Sequence, residues 1–204
     1  MLFMVPMALI MQNKLKTIAI YCGSKMGNDL NYSVMANQMA KAIADTGLTL
    51  IYGGAKVGLM GILADTVLKF GGKVIGVIPQ SLVDCEITHE GLTDLHIVNS
   101  MHERKAMIAE IADSFIMLPG GPGTWEEFFE IITWGKLGYH KKPCGILNIN
   151  NYYDLLLQLL DHAVDKKFLY SCHRDMILVD DLPQRLLQKI FNYNECATLQ
   201  AEII

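Results

Sequence analysis

The stretch Leu118-Pro119-Gly120-Gly121-Pro122-Gly123-Thr124-Trp125-Glu126-Glu127 constrains this chain more than any other, because it joins an apolar run, Ser114 to Leu118, directly to a helical pattern beginning at Thr124. Strand, glycine turn and helix start follow one another without a linker. Three glycines in four positions leave no Cβ in the way of main-chain N–H groups. Such a turn either closes tightly with no ligand or cradles an anion, and the positive end of the following helix favours phosphate. Thr124 and Glu127 stand three apart, which is capping-box spacing with Thr124 as the N-cap. Glu127 then has two readings. It caps the helix, or it faces a bound phosphorylated ligand and takes part in chemistry. It also aligns with Ile131 and Trp134 at offsets of four and seven, on an apolar stripe where a charge is harder to explain structurally.

The rest of the chain repeats the same local grammar. Thr17 to Cys22 reads as a buried strand ending in Gly23-Ser24, followed by a helix from about Asn28 to Thr46 closed by Gly47. Leu48 to Tyr52, Gly53-Gly54 and a helix from Val57 to Phe70 form the second unit. Lys73 to Ile78 is a third strand, Gln80 to Asp94 reads as irregular, and His96 to Val98 is a short fourth strand before a helix from Met101 to Ala112. After Ser114 to Leu118 and the helix from Thr124 to Leu137 come a strand at Cys144 to Ile149, a helix from Tyr152 to Asp165, a strand at Met176 to Val179 and a last helix from Leu182 to Tyr193. Apolar strands alternating with helices imply an α/β fold, a doubly wound parallel sheet with helices on both faces. Its ligand is expected beyond the C-terminal strand ends, where Ser24, Gly53-Gly54 and the turn from Gly120 to Thr124 would converge. Gly54 is counted with the candidate substrate contacts, beside the plainer reading of a tight turn into Val57.

At 204 residues and 51% hydrophobic, the chain suits one domain, 14–204, with a full-sized core. The net charge of -4 gives no basic footprint, so no nucleic-acid polymer is expected as a partner. Residues 1–13 read as an apolar N-terminal extension, which is expected either to be disordered or loosely packed or to reflect a start codon placed upstream of Met11. Their uncharged run, interrupted by Pro6, is too short to span a bilayer and lacks a signal peptide's flanks, so neither membrane nor secretion is expected. Cys22, Cys85, Cys144, Cys172 and Cys196 are odd in number and unpaired in spacing, as reduced cytoplasmic thiols are. His140 with Cys144, or Cys172 with His173, would give a metal only two donors, so no metal is expected.

The helix at Met101 carries an anomaly. Ser100 and Glu103 have capping-box spacing, which sets Arg104 and Lys105 near the positive end of the helix, where cations cost a few tenths of a kcal/mol each. Arg104, Met107, Ile108 and Ile111 follow offsets 0, 3, 4 and 7, placing the guanidinium on the apolar face. Either its stem snorkels to solvent, or Arg104 is directed at a buried anion.

Met101-His102-Glu103-Arg104-Lys105 and, fourteen residues on, Pro119-Gly120-Gly121-Pro122-Gly123-Thr124-Trp125-Glu126-Glu127 closely resemble the MHxRK and PGGxGTxxE signatures of the Lonely guy (LOG) family, cytokinin riboside 5′-monophosphate phosphoribohydrolases often mislabelled lysine decarboxylases. The resemblance extends from about Thr17 to Asp180. It implies a Rossmann-like homodimer that hydrolyses the N-glycosidic bond of adenine-type nucleoside 5′-monophosphates, cytokinin ribotides or AMP, with no cofactor. It also implies that Arg104 and Glu127 are catalytic. Substrate contacts would be Glu86, Lys105, Gly120, Gly121, Pro122, Gly123, Thr124, Trp125, Glu126 and Thr133. Thr133 lies about 240° around an ideal helix from Glu127, pointing to another part of the site or to the dimer partner's site. Independently of the resemblance, breaking a ribosyl N-glycosidic bond builds positive charge on the sugar and negative charge on the base, and Glu127 with Arg104 offers one group for each. Three other readings compete: a nucleotide or molybdenum-cofactor carrier using the same turn without catalysis, an amino-acid decarboxylase with bound pyridoxal phosphate, and a structural interaction protein. The dimer contact is expected at the helices beginning at Met101 and Thr124, because Phe128, Phe129, Ile131, Ile132 and Trp134 surround most of the second one.

Overall fold

The computed structural model describes residues 15–85 and 87–193; the apolar extension at 1–13, the candidate contact Glu86 and Cys196 lie outside the described residues. Seven strands, β1 (Thr17–Tyr21), β2 (Thr49–Tyr52), β3 (Val74–Pro79), β4 (Asp94–Val98), β5 (Phe115–Met117), β6 (Cys144–Leu147) and β7 (Ile177–Asp180), form one parallel sheet in the order β4-β3-β2-β1-β5-β6-β7. The chain order reverses between β1 and β5, which pair through Ala19 and Phe115, Ile20 and Ile116, and Tyr21 and Met117. At that crevice the connections leave the sheet towards opposite faces, which is where doubly wound sheets bind ligands.

Burial explains why the strands read as continuous apolar runs. In β1, Ile18 and Ile20 join the core beneath α1 (Leu30–Thr46), α2 (Gly58–Lys69) and α8 (Pro183–Phe191). The alternate residues Ala19 and Tyr21 face the second core, built with α4 (Met101–Ile111), α5 (Pro122–Lys136) and the partly buried leucines of α6 (Asp154–Asp165). The central strands therefore need apolar residues facing both cores, whereas the edge strand β4 carries Asp94 and His96.

The differences from expectation have local causes. Between Gln80 and Asp94 the chain makes one helical turn, α3 (Gln80–Val83), and β4 starts earlier, at Asp94. A further short helix, α7 (Ser171–Asp175), precedes β7. Helix α5 begins at Pro122, with Gly121 as N-cap. Thr124 is therefore a buried third residue of the helix and not its cap. Pro122 decides this, because its fixed φ suits the first helical position and its missing N–H costs nothing there. The Ser100 cap of α4 does form: the Glu103 N–H donates to Ser100 Oγ at 3.1 Å, and the Glu103 carboxylate receives the Asn99 N–H at 2.9 Å. Helix α6 starts two residues after Tyr152 because the Tyr153 N–H donates to the Asn148 side chain at 2.8 Å.

Candidate active site

The loops after β1, β2 and β5 enclose a cavity of about 690 Å³ at the switch point. The first and third are tied by the Gly23 N–H donating to the Pro119 carbonyl at 3.0 Å. Ser24 and the run Gly120, Gly121, Pro122, Gly123, Thr124 and Glu126 line it, and so do both candidate catalytic residues, Arg104 and Glu127. Gly54, Lys105, Trp125 and Thr133 are not among the lining residues. Gly54 packs towards Ile78 and Leu95 on the sheet, Trp125 is exposed, and Thr133 bonds its own helix through the Phe129 carbonyl at 2.7 Å. Lys105 is engaged elsewhere, in ion pairs with Glu126 and with Glu130, the latter at 3.1 Å. The Glu126 contact, opposed by burial and aided by Glu130, holds its ammonium above the usual lysine range.

The glycine turn is shaped by close approach. A Cβ on Gly120 would lie 2.2 Å from Thr124 Oγ1 and 2.9 Å from the Gly23 nitrogen, so any other residue there would push the two loops apart. With Gly121 as cap and Pro122 first, α5 aims its positive end into the cavity, and the Gly123 and Thr124 N–H groups belong to the first turn, which has no intrahelical acceptor. Pro122 supplies no N–H.

Arg104 does not snorkel. Its Nη2 stands 3.3 Å from Glu127 Oε1, with side-chain exposures of 10% and 12%, and Nη1 reaches the Met101 sulfur at 3.6 Å. Gly53 makes room for it: a Cβ there would fall 2.0 Å from Nη2. Burial raises the Glu127 carboxyl above the usual glutamate range, and Arg104 opposes the shift without cancelling it. Among the described residues the buried Arg104 Nε has no hydrogen-bond partner. Beneath the pair lies Tyr21, whose hydroxyl is pushed well up by burial and then by Glu127. A carboxylate and a guanidinium held in a dry wall, each short of partners, are poised to stabilise charge on something else.

Sequence reasoning missed the apolar lining residues Met60, Leu82, Ile87 and Met101, of which Met101 touches Arg104 and Met60 packs at Gly53, and it missed Tyr32 and Tyr152. The methionines carry no pattern that separates them from core. For Tyr152 a signal existed: Asn148, Asn150 and Asn151 interrupt the apolar pattern just before it, which marks a turn. Among the described residues no group of three or more His, Cys, Asp or Glu side chains could hold a metal, and no helix is long and apolar enough to cross a membrane.

Residues 60–190 match a family model described as "Possible lysine decarboxylase". The chain is 49% identical over 165 residues to a cytokinin riboside 5′-monophosphate phosphoribohydrolase of Rhodococcoides fascians, covering 80% of this chain and 83% of that protein. It is 42% identical over 182 residues to the cytokinin riboside 5′-monophosphate phosphoribohydrolase LOG of Oryza sativa subsp. japonica, covering 89% and 75% respectively. Among solved structures, the molybdenum cofactor binding protein of Rippkaea orientalis matches with a TM-score of 0.66 and 18% identity, over 87% of this chain and 96% of that one. That likeness shows the fold alone.

Proposed function

Since this chain belongs to the Lonely guy (LOG) family of cytokinin riboside 5′-monophosphate phosphoribohydrolases and is a hydrolase of N-glycosyl bonds, we propose that the Arg104–Glu127 pair carries its chemistry on an adenine-type nucleoside 5′-monophosphate. One observation carries the assignment: a buried guanidinium and a largely buried carboxylate 3.3 Å apart, lining the same cavity as a glycine turn and a set of apolar side chains. The phosphate lies on the N–H groups at the start of α5. The ribose then sits over Glu127, whose carboxylate faces the oxocarbenium-like sugar and orients the attacking water. The base lies against Met60, Leu82, Ile87 and Met101. Arg104, which spans from Glu127 to Met101, faces the departing base. The bond from C1′ to the base nitrogen breaks with its electron pair leaving on the base, and water supplies the new bond at C1′ and the proton the base takes up. Anchoring the phosphate lets remote binding energy orient the sugar.

The experiment is an assay of AMP and isopentenyladenosine monophosphate side by side. Release of ribose 5-phosphate with free base from either supports the reading; nucleotide binding without release supports a carrier. The reading further includes a cytoplasmic homodimer. Cys22, Cys85 and Cys144 are free thiols, and exposed apolar residues offer a contact. They lie less on α5, where Phe128, Ile131 and Ile132 are buried within the chain, than on α6, where Leu155 is 80% and Leu159 62% exposed. Sedimentation of a fully active 22.8 kDa monomer at micromolar concentration would end the dimer proposal.

A further inference from the structure

We propose that Tyr152 is a positioning residue of the phosphate site: its hydroxyl holds the Gly120–Gly121 peptide so that the Gly121 N–H is presented to the substrate's 5′-phosphate. This rests on the phosphate placement above. The Tyr152 hydroxyl donates to the Gly120 carbonyl at 2.7 Å. In a trans peptide the carbonyl and the next N–H point in opposite directions in one plane, so fixing the Gly120 carbonyl fixes the direction of the Gly121 N–H. That N–H takes no carbonyl partner among the described residues. The Trp125 N–H holds the Gly121 carbonyl at 3.1 Å on the far side, and the Tyr152 hydroxyl is the hydrogen bond that holds the Gly120 carbonyl between two glycines, which are otherwise the freest backbone to rotate.

The segment that delivers Tyr152 is built at a cost. Asn150 and Asn151 both adopt left-handed backbone, with φ of 52° and 58°, a region sparsely used by residues other than glycine and found where surrounding contacts impose it. Those contacts are present. Asn150 accepts from Asn31 at 2.6 Å and donates to Asp29 at 3.0 Å, both at the start of α1, while Asn148 accepts the Tyr153 N–H and donates to Asp154, each at 2.8 Å. The turn therefore aims two adjacent tyrosines at alternate carbonyls of the glycine segment. Tyr153, fully buried, donates to Leu118 at 2.8 Å and anchors the strand end. Tyr152 lines the cavity, with its ring edge-on to Tyr32 at 5.9 Å. The first serves the fold and the second serves the cradle.

The test is Tyr152→Phe, which keeps the ring contacts and removes only the donor. Ribose 5-phosphate and ribose binding are measured by calorimetry, together with AMP kinetics. We expect ribose 5-phosphate affinity to fall about five- to tenfold, the scale of one neutral hydrogen bond. The KM for AMP should rise by a similar factor, kcat should stay within about twofold, and ribose affinity and melting temperature should be unchanged. Equal affinity of wild type and variant for ribose 5-phosphate overturns the assignment alone. So does an equal loss for ribose and ribose 5-phosphate, which would mark a general prop. A wild type that binds ribose 5-phosphate but releases none from AMP defeats the hydrolytic reading and leaves this one standing on the binding ratio. A wild type that binds no ribose 5-phosphate overturns the cradle and Tyr152's role together.

Discussion

Two carboxylates with little exposure, Glu127 on α5 and Asp180 at the end of β7, sit under opposite rules. Asp180 is saturated: one oxygen receives the Leu182 N–H at 3.0 Å and Arg185 Nε at 2.8 Å, and the other meets Lys189 Nζ at 3.0 Å. Burial pushes its carboxyl up, but the Leu182 amide, Lys189 and Arg185 together outweigh burial and hold it well below the usual range. Glu127 has Arg104 at 3.3 Å, and burial wins. Asp180 ties the end of β7 to α8; Glu127, with Arg104 as its one ion-pair partner among the described residues, lines the cavity. The contrast teaches how to sort charges in this fold. A satisfied carboxylate stabilises the protein, while an under-satisfied one is held ready for a ligand.

The hardest test of that contrast is Glu127→Gln. Turnover of AMP should fall by roughly 10²–10⁴-fold, the scale of a positioned catalytic group, while stability does not fall. The sign follows from linkage. A raised folded-state pKa means the ionised carboxylate is disfavoured by folding, so its favourable contribution is complete below the unfolded value of about 4.3 and is lost as pH rises through the folded value. At neutral pH the wild type carries that penalty and the amide does not. A lower denaturation midpoint for the variant at pH 7 would break the comparison.

Gly53→Ala probes the same site without touching a charge. The new Cβ would claim the place of Arg104 Nη2, and because a flexible arm yields more cheaply than backbone, the fold should survive while the guanidinium moves. An ångström of misplacement costs on the order of 10²-fold in kcat/KM. Unchanged kinetics would show that the position of Arg104 does not matter.

A milder effect appears in the pH profile. Glu127 must be ionised to face a cationic sugar, so the acid limb of kcat/KM should lie above about 4.3, the ordinary glutamate value. It should be absent from the residual activity of Glu127→Gln. A limb at or below the ordinary value would remove the burial argument.

Smallest in activity, and opposite in sign for stability, is Asp180→Asn. Losing charge-assisted bonds to a buried acceptor should cost about 1–3 kcal/mol in urea unfolding at pH 7 with kcat unchanged. Here the folded-state pKa is depressed, so the stabilisation is present above the unfolded value of about 3.9 and is lost as pH falls through the folded one. The gap between wild type and variant should narrow in acid. A variant that loses activity while keeping its stability would erase the distinction between the two carboxylates.

Much of this architecture was legible beforehand, for reasons confined to single segments. The apolar strand runs, the glycine stops and the Ser100–Glu103 cap each report a requirement met within a few residues, and all seven expected strands are present, with β4 beginning two residues early. The errors are equally local: α3 and α7 are too short for a periodic signal, and Pro122 outranked Thr124 as the marker of a helix start. The site was legible in part. Arg104 and Glu127 betrayed themselves as charges on apolar stripes, since burying a charge is costly and needs a reason.

What the sequence determined by itself was therefore the alternation of elements, the parallel sheet it demands and the two charges that local stability does not explain. Only the tertiary structure decided that Arg104 lies over Gly53 and against Glu127, that Lys105 is taken by Glu126 and Glu130, and that Tyr152 reaches back 32 residues to the Gly120 carbonyl. The division is physical. Periodicity and capping are fixed by neighbours along the chain, whereas a contact between loops depends on which strands lie side by side at the reversal between β1 and β5, and nothing within either loop encodes the distance to the other.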